Sequence, residues 1–196
     1  ESRDYHSYAL VWMYRGASLP AAFGRAQLTK MNSYFNTIQE NAAVLTDKIK
    51  DIKGLIIPVQ PEGYLHNWYN YTCRVDMKAI GWNGAPTAMR DAIMGALQAE
   101  GAPVGIWQRF ILPDMTVFKA KNAYGGGCPW SCPFADKLGE KVNYCREDFP
   151  VAQRHCDTHF GMTVPLRAPN TTASAALVGE AFLKVFDNLN ELKVKA

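Results

Sequence analysis

One apolar stripe along a stretch almost free of helix breakers constrains this chain most. Over residues 19–54 the only proline and glycine before the last position are Pro20 and Gly24, both close to the start. We therefore predict one long helix, capped by Ser18 and stopped by Gly54. Its apolar residues recur at alternating spacings of three and four, as on one helix face: Leu28, Met31, Phe35, Ile38, Ala42, Leu45, Ile49 and Ile52.

A helix of this length would span roughly 50 Å, which is more than a compact domain of this size needs. Two interpretations remain open. The stripe is either a coiled-coil seam or the face of a helix that connects two domains and packs on both. Phe35 and Ala42 on the stripe favour irregular globular packing over a zipper.

The rest of the chain predicts a small α/β layer. Strand-forming residues cluster at 55–59, 68–75 and 104–107, and a helix from Gly84 to Glu100 lies between the last two. On this helix the residues of one face are Met89, Ile93 and Leu97.

Beyond the predicted layer, residues 113–150 are irregular and dense in Gly, Pro and Cys. They are followed by a helix over 151–160 and a strand over 162–166. Asn170, Thr171 and Thr172 cap a last helix. Its predicted apolar face consists of Leu177, Ala181, Val185, Leu189 and Leu192. The predicted organisation is an entry segment (1–18), the long helix (19–54) and an α/β domain (55–196) with an irregular loop at 113–150.

Composition excludes several classes of protein. Of the 196 residues 48% are hydrophobic and 20% are charged, and the net charge is +3, as in soluble globular proteins. No stretch is basic enough to predict nucleic-acid binding. No apolar run reaches the roughly 18 residues of a membrane span, and the first residues do not resemble a signal peptide. Five cysteines in a chain with a sizeable core indicate reduced thiols and a cytoplasmic location.

The cysteines of this chain offer two candidate chemistries. Cys128 and Cys132 are a CxxxC pair, and with Cys145, His155 and His159 they would form a zinc-stabilised binding module. The missing CxxC spacing and the flanking prolines favour ordinary loop cysteines, so we predict no metal. The second chemistry is a nucleophilic cysteine.

A nucleophile at Cys145 or Cys156 would need His159 as its base, and no signature supports it. Gly125–Gly127 lacks the spacing of a phosphate-binding loop. No single motif names a reaction.

An ordered set of segments resembles the DegT/StrS type of sugar aminotransferase, a pyridoxal-phosphate enzyme. The segments cover nearly the whole chain. They are WMYR at 12–15, LPAAFGRAQL at 19–28, the aromatic strand 68–75, the helix 90–101, PVGIWQ at 103–108, PVA at 150–152 and VPL at 164–166.

The resemblance implies the C-terminal part of an aspartate-aminotransferase-like fold: a long connecting helix and a small α+β domain. In that family the cofactor's lysine lies on the large domain, and none of this chain's lysines has a family-like Ser-x-x-Lys context. Catalysis would then require a lysine-bearing large domain or a homologous catalytic chain, in a dimer or heteromer. The isolated chain would be inactive.

Individual residues carry the implied roles. Tyr14 and Arg15 would contact pyridoxal phosphate, and Trp107, Gln108 and Arg109 would bind a keto-sugar, cyclitol or related keto substrate, with an amino donor as second substrate. No catalytic residue is expected on this chain. Met13, Ser18 and Trp107 depart from the family pattern, which leaves open a non-catalytic partner that stabilises or regulates a catalytic homologue.

Overall fold

A computed structural model describes residues 16–133 and 138–193, with the side chains of 138 and 140 left aside. The longer helices are α1 (Ser18–Leu28), α2 (Met31–Ile49), α3 (Pro86–Ala99), α6 (Pro150–Thr158) and α7 (Thr172–Asp187), and the strands are β1 (Leu55–Ile56), β2 (Tyr71–Val75) and β3 (His159–Met162). The short helices are α4 (Thr116–Lys119), α5 (Leu138–Lys141) and α8 (Leu189–Lys193), with 3-10 turns at Leu112–Asp114, Arg146–Asp148 and Val164–Leu166. None of the helices in these ranges is both long and apolar enough to cross a bilayer.

The sheet is antiparallel, with strand order β1-β2-β3. This small sheet with its helices confirms the predicted α+β class. Tyr71, Cys73 and Val75 alternate along β2 and are buried, as are Phe160 and Met162 on β3. Because side chains alternate across a strand, these residues face one side of the sheet.

Three helices build the apolar core on that side. Met89, Ile93 and Leu97 of α3 are fully buried, which confirms the predicted face of this helix. The second half of α2 packs along α7. At their closest approach, a Cβ added to Gly179 would lie 2.9 Å from the Cβ of Lys48. The absence of a side chain at 179 therefore brings the two helices together.

The predicted single long helix is wrong in one respect, because the structure divides it into α1 and α2. At the junction the Lys30 N–H donates to the carbonyl of Gln27, three residues back, and the Thr29 hydroxyl donates to the carbonyl of Ala26. These bonds replace the regular α-helical pattern locally. The apolar stripe is also buried only at its second half, where it reaches Ala42, Leu45 and Ile49.

Helix α1 buries none of its residues against the described part of the chain. Leu19, Phe23 and Leu28 are exposed by 83%, 66% and 66%, and Met31 at the start of α2 by 56%. Ser18 begins α1, but no side chain caps the helix. The two interpretations of the stripe, a coiled-coil seam and a helix that connects two domains and packs on both, stay predictions.

The last helix begins with the predicted cap, since Thr171 and Ser174 form a capping box at the start of α7. Its predicted apolar face is confirmed at Ala181, Val185 and Leu189, which are buried, and is wrong at Leu177, which is 71% exposed. The residues that α7 actually buries are Ala175, Val178, Gly179, Ala181, Phe182, Val185 and Phe186.

Two predicted strands are also corrected. Residues 104–107 contribute only one bridge, between Gly105 and Gly161, after which the chain leaves the sheet. The predicted strand at 162–166 instead occupies His159–Met162, and a 3-10 turn with Pro165 follows it. Proline lacks the N–H that a continuing strand would need.

The region predicted to be irregular contains short helices around an aromatic cluster. Trp130 packs edge-on against Phe118 and Tyr144, with ring centroids 6.1 and 6.3 Å apart. Its indole N–H donates to the Tyr144 hydroxyl at 2.7 Å. This cluster joins α4 to the Gly- and Cys-rich segment in place of a larger core.

Candidate functional site

The second face of the sheet carries polar residues. Arg74 of β2 lies opposite His159 of β3 in the register, on the face turned away from the core. Helix α6 leads directly into β3, so His155 lies one helical turn before His159, and the two imidazole rings stack with centroids 4.3 Å apart. Strand pairing and the helix–strand junction thus gather three polar side chains at one place.

His159 is held in one tautomer by two backbone groups. Its Nδ1 lies 2.8 Å from the carbonyl oxygen of His155, and its Nε2 lies 3.4 Å from the backbone N of Gln108. A carbonyl only accepts and an N–H only donates, so Nδ1 carries the proton and Nε2 accepts. Burial is the main reason that the pKa of His159 lies below its ordinary value, and nearby Arg90 lowers it as well. His159 is therefore a neutral support for the loop that begins at Gln108.

A cavity of about 850 Å³ lies next to this support. Its polar lining consists of Arg74, Gln108, Asp148 and His155, and Cys156 closes one side. The apolar part of the lining is formed by Phe110, Ile111, Leu112, Phe149, Pro150, Val151 and Ala152. A concave, largely apolar wall with a few polar groups is typical of small-molecule sites.

Three groups of this lining have no hydrogen-bond partner among the described residues: the guanidinium of Arg74, the side-chain amide of Gln108 and the ring of His155. The pKa of His155 is lowered by burial first, then by His159 and by Arg74. A positive charge and two neutral hydrogen-bonding groups are thus available to a ligand. Asp148 also lines the cavity, but it is exposed and makes no ion pair with Arg74.

The three residues predicted to bind substrate are placed differently. Trp107 is 70% exposed, and its ring meets Tyr69 edge-on with centroids 6.4 Å apart. The Arg167 guanidinium lies 5.4 Å from the centroid of the same Tyr69 ring. Gln108 lines the cavity, whereas Arg109 is exposed and is not part of the cavity wall. Of the three predicted residues, the structure therefore brings only Gln108 into the cavity wall, and Trp107 lies outside the lining next to Gln108 in the chain.

The residues predicted to contact the cofactor, Tyr14 and Arg15, lie outside the described residues, as does Met13. Arg74 was not predicted as a site residue, and His155 was predicted only as a candidate metal ligand. The alternation of β2 contained a signal for Arg74, since a strand that buries Tyr71, Cys73 and Val75 presents Arg74 on its other face.

The cysteine hypotheses gain no support from the geometry. Cys128 Sγ lies 2.9 Å from Cys132 Sγ, and Cys145 Sγ donates to Glu147. No three His, Cys, Asp or Glu side chains within the described residues are placed to share a metal ion. Both ring nitrogens of His159 are engaged by backbone groups, so this ring is not available as a base for Cys156.

The described residues alone do not fit pyridoxal phosphate. Such a cofactor is bound through a lysine, and no lysine among the described residues lines the cavity beside Gln108. Lys48 and Lys184 instead pair with Glu180 and Glu100 on the helical side of the domain. None of the described lysines is therefore placed to bind the cofactor in this cavity.

Comparison with known proteins agrees with this anatomy. The chain is similar to the crystal structure of a DegT DnrJ EryC1 StrS aminotransferase from Brucella abortus, with a TM-score of 0.59 and 17% sequence identity. The similarity covers 92% of this chain and 39% of that protein, and at this identity it shows the fold alone. The search of curated proteins gave no match. The model of the DegT/DnrJ/EryC1/StrS aminotransferase family matches residues 2–142, and the chain belongs to this family.

Proposed function

We propose that this chain is the C-terminal portion or a subunit of a pyridoxal-phosphate-dependent aminotransferase that acts on a keto-sugar, a cyclitol or a related keto substrate. The observation that carries the proposal is the cavity whose wall includes both Gln108 and Arg74. Trp107, the neighbour of Gln108 in the chain, is exposed. His159 fixes the backbone of Gln108, so the amide side chain starts from a defined position. Exposed Trp107 offers a flat face to a sugar or cyclitol ring.

The guanidinium of Arg74, which has no hydrogen-bond partner among the described residues, favours a keto substrate with an acidic group. Arginine binds carboxylate and phosphate with two parallel hydrogen bonds, and such charge-assisted bonds are among the strongest in proteins. A keto substrate with an acidic group fits a cavity that holds Arg74 and His155 together with apolar side chains. The amino donor is an acidic or zwitterionic molecule under the same reasoning.

The proposed enzyme is completed by a lysine-bearing large domain or a homologous catalytic chain, as a dimer or heteromer. Pyridoxal phosphate would be held mainly there and would supply the electron sink of amino transfer. The chain spans only 39% of the similar solved protein. The exposed apolar side chains of α1 are suited to pack on this missing part. A cytoplasmic location is included in the proposal, because a cysteine-containing chain with its own core is typical of reducing compartments.

The test compares the purified chain alone with the chain co-expressed with a lysine-bearing catalytic chain. We expect no absorbance band of lysine-bound pyridoxal phosphate from the isolated chain, and a band from the complex that changes when an amino donor is added. Turnover by the isolated chain would contradict the requirement for a partner.

A second experiment separates a catalytic role from a stabilising one. In the complex, Trp107→Ala and Gln108→Ala should lower kcat/KM for the keto substrate. Tyr64→Ala, which removes another exposed aromatic ring outside the cavity lining, is the matched control. Unchanged kinetics in all three variants would favour the non-catalytic partner.

A further inference from the structure

Two sulfur atoms in the segment after α4 are already in contact. Cys128 Sγ–H donates to Cys132 Sγ, and the sulfurs are 2.9 Å apart. The N–H groups of Trp130 and Ser131 both donate to the carbonyl of Gly127 at 2.8 Å, so the backbone makes a tight turn here. This turn brings the two cysteines, which are four residues apart in the chain, into contact.

The turn is fixed by the glycines that precede it and by Trp130 within it. Gly125, Gly126 and Gly127 precede it with φ values of 88°, 57° and 75°, a region that favours glycine. Trp130 within the turn is only 8% exposed, and its indole N–H donates to the hydroxyl of Tyr144. Because the backbone is anchored at Trp130, the facing positions of the two sulfurs are a property of the fold.

The other cysteines differ in their surroundings. Cys73 is fully buried in the core, and burial raises its pKa. Cys156 is 5% exposed, and Cys145 donates to the Glu147 carboxylate. Cys128 and Cys132 are half-buried, so a small oxidant can reach them. Each of the two thiols also lies in contact with the other.

We propose that Cys128 and Cys132 are a dithiol that closes to an intrachain disulfide by exchange with a small disulfide such as oxidised glutathione. A disulfide bond is about 2.05 Å long, so the sulfurs have less than about 1 Å to close. The turn that carries Trp130 then becomes a covalent five-residue ring. This inference is independent of the proposed aminotransferase activity.

The exchange proceeds in two balanced steps. One of the two cysteines, as its thiolate, attacks one sulfur of oxidised glutathione, and a mixed disulfide forms as the first glutathione thiolate leaves. The second cysteine then loses its proton and attacks the Sγ of the first, which releases the second glutathione. Two electrons pass from the cysteines to glutathione, and both thiol protons are released.

The test uses the whole chain in glutathione redox buffers, followed by alkylation and intact-mass and peptide analysis. We expect the oxidised chain to lose the mass of two hydrogen atoms and to yield one cross-linked peptide joining Cys128 to Cys132. Cys145→Ser is the matched control and should behave like the unaltered chain. Cys128→Ser should stop at one glutathione adduct on Cys132.

Three results would overturn the proposal. The first is a cross-link between Cys145 and either member of the pair. The second is retention of both thiols in excess oxidised glutathione. The third is full disulfide formation in Cys128→Ser. Peptide mapping of the unaltered chain decides the matter even if a variant folds poorly.

Discussion

The backbone N–H of Gln108 donates to Nε2 of His159. Where the chain leaves the sheet, its N–H therefore bonds to a buried imidazole ring instead of to the carbonyl of a neighbouring strand. The opposite ring nitrogen, Nδ1, donates to the carbonyl of His155. One side chain therefore connects the end of α6, strand β3 and the loop that carries Trp107. The position of His159 in β3 therefore fixes where the backbone of Gln108 lies.

Replacing His159 separates its two hydrogen bonds. His159→Gln places an acceptor near the position of Nε2, whereas His159→Asn retains only a donor near Nδ1. We expect His159→Asn to cost about 0.5–1.5 kcal/mol of unfolding free energy, because the backbone N–H of Gln108 loses its acceptor. His159→Gln should cost less at that bond. Urea unfolding measures the cost, and amide exchange of Gln108 in the two variants reports the bond directly. Equal protection of this amide in both variants would contradict the assignment.

The stability of the chain should fall in weak acid. Burial holds the pKa values of His155 and His159 below 6.5, so the folded chain keeps both rings neutral while the unfolded chain takes up protons. The stabilisation is complete above pH 6.5 and is lost as the pH falls through the folded-state values. Urea midpoints across this range should decline in the unaltered chain and decline less in His159→Gln. A midpoint independent of pH would show that these rings titrate normally.

The close approach of α2 and α7 predicts opposite effects of the same substitution at two glycines. Gly179→Ala introduces a Cβ 2.9 Å from Lys48 Cβ and should destabilise by about 1–3 kcal/mol through overpacking. Gly95→Ala on the exposed face of α3 meets no atom within 4 Å and should stabilise by about 0.5–1 kcal/mol. Thermal unfolding of both variants checks the difference. A stabilising Gly179→Ala would mean that the helices separate at no cost.

Asn41 links α2 to the segment between β3 and α7. Its side-chain amide donates to the carbonyls of Leu166 and Asn170 at 3.1 Å each, and the residue is 1% exposed. Asn41→Leu should lower the unfolding free energy by about 1–3 kcal/mol, because buried acceptors lose their donor. The control is Asn36→Leu on the exposed side of α2, which should change stability by less than about 0.5 kcal/mol.

Arg74→Gln tests the proposed preference for an acidic substrate in the assembled enzyme. The variant keeps hydrogen-bond donors but loses the charge, and a charge-assisted bond contributes about 1.5–3 kcal/mol. We expect kcat/KM for an acidic keto substrate to fall by about 10- to 100-fold, with little change for a neutral one. Arg154→Gln, an exposed arginine of α6 outside the cavity lining, is the matched control. Equal losses in the two variants would contradict a role for Arg74 in binding.

Local sequence patterns predicted those helices whose periodicity and capping residues lie within or next to the helix itself. The 3.6-residue period of Met89, Ile93 and Leu97 identified the buried face of α3, and Thr171 marked the start of α7. The same reasoning failed at Leu177, which fits an apolar stripe yet is exposed. Several faces of an apolar helix satisfy the pattern, and the neighbour that packs on it selects one of them.

Long-range contacts decided the site. The spacing of His155 and His159 predicts a shared helix face, as in a pair of metal ligands. The structure ends the helix at Thr158, so His159 belongs to a strand and its ring binds the backbone of Gln108. Where Arg74 lies relative to both histidines depends on strand register, which no local spacing encodes.

The residues of this chain were sufficient to indicate its family, its α+β class and the extended helix before the sheet, because ordered motifs and helical periodicity are properties of neighbouring positions. Tertiary folding alone created the cavity and selected its lining. The free energy of packing α2, α3 and α7 on one side of three short strands fixes the register, and the register places Arg74 beside His159 on the other side.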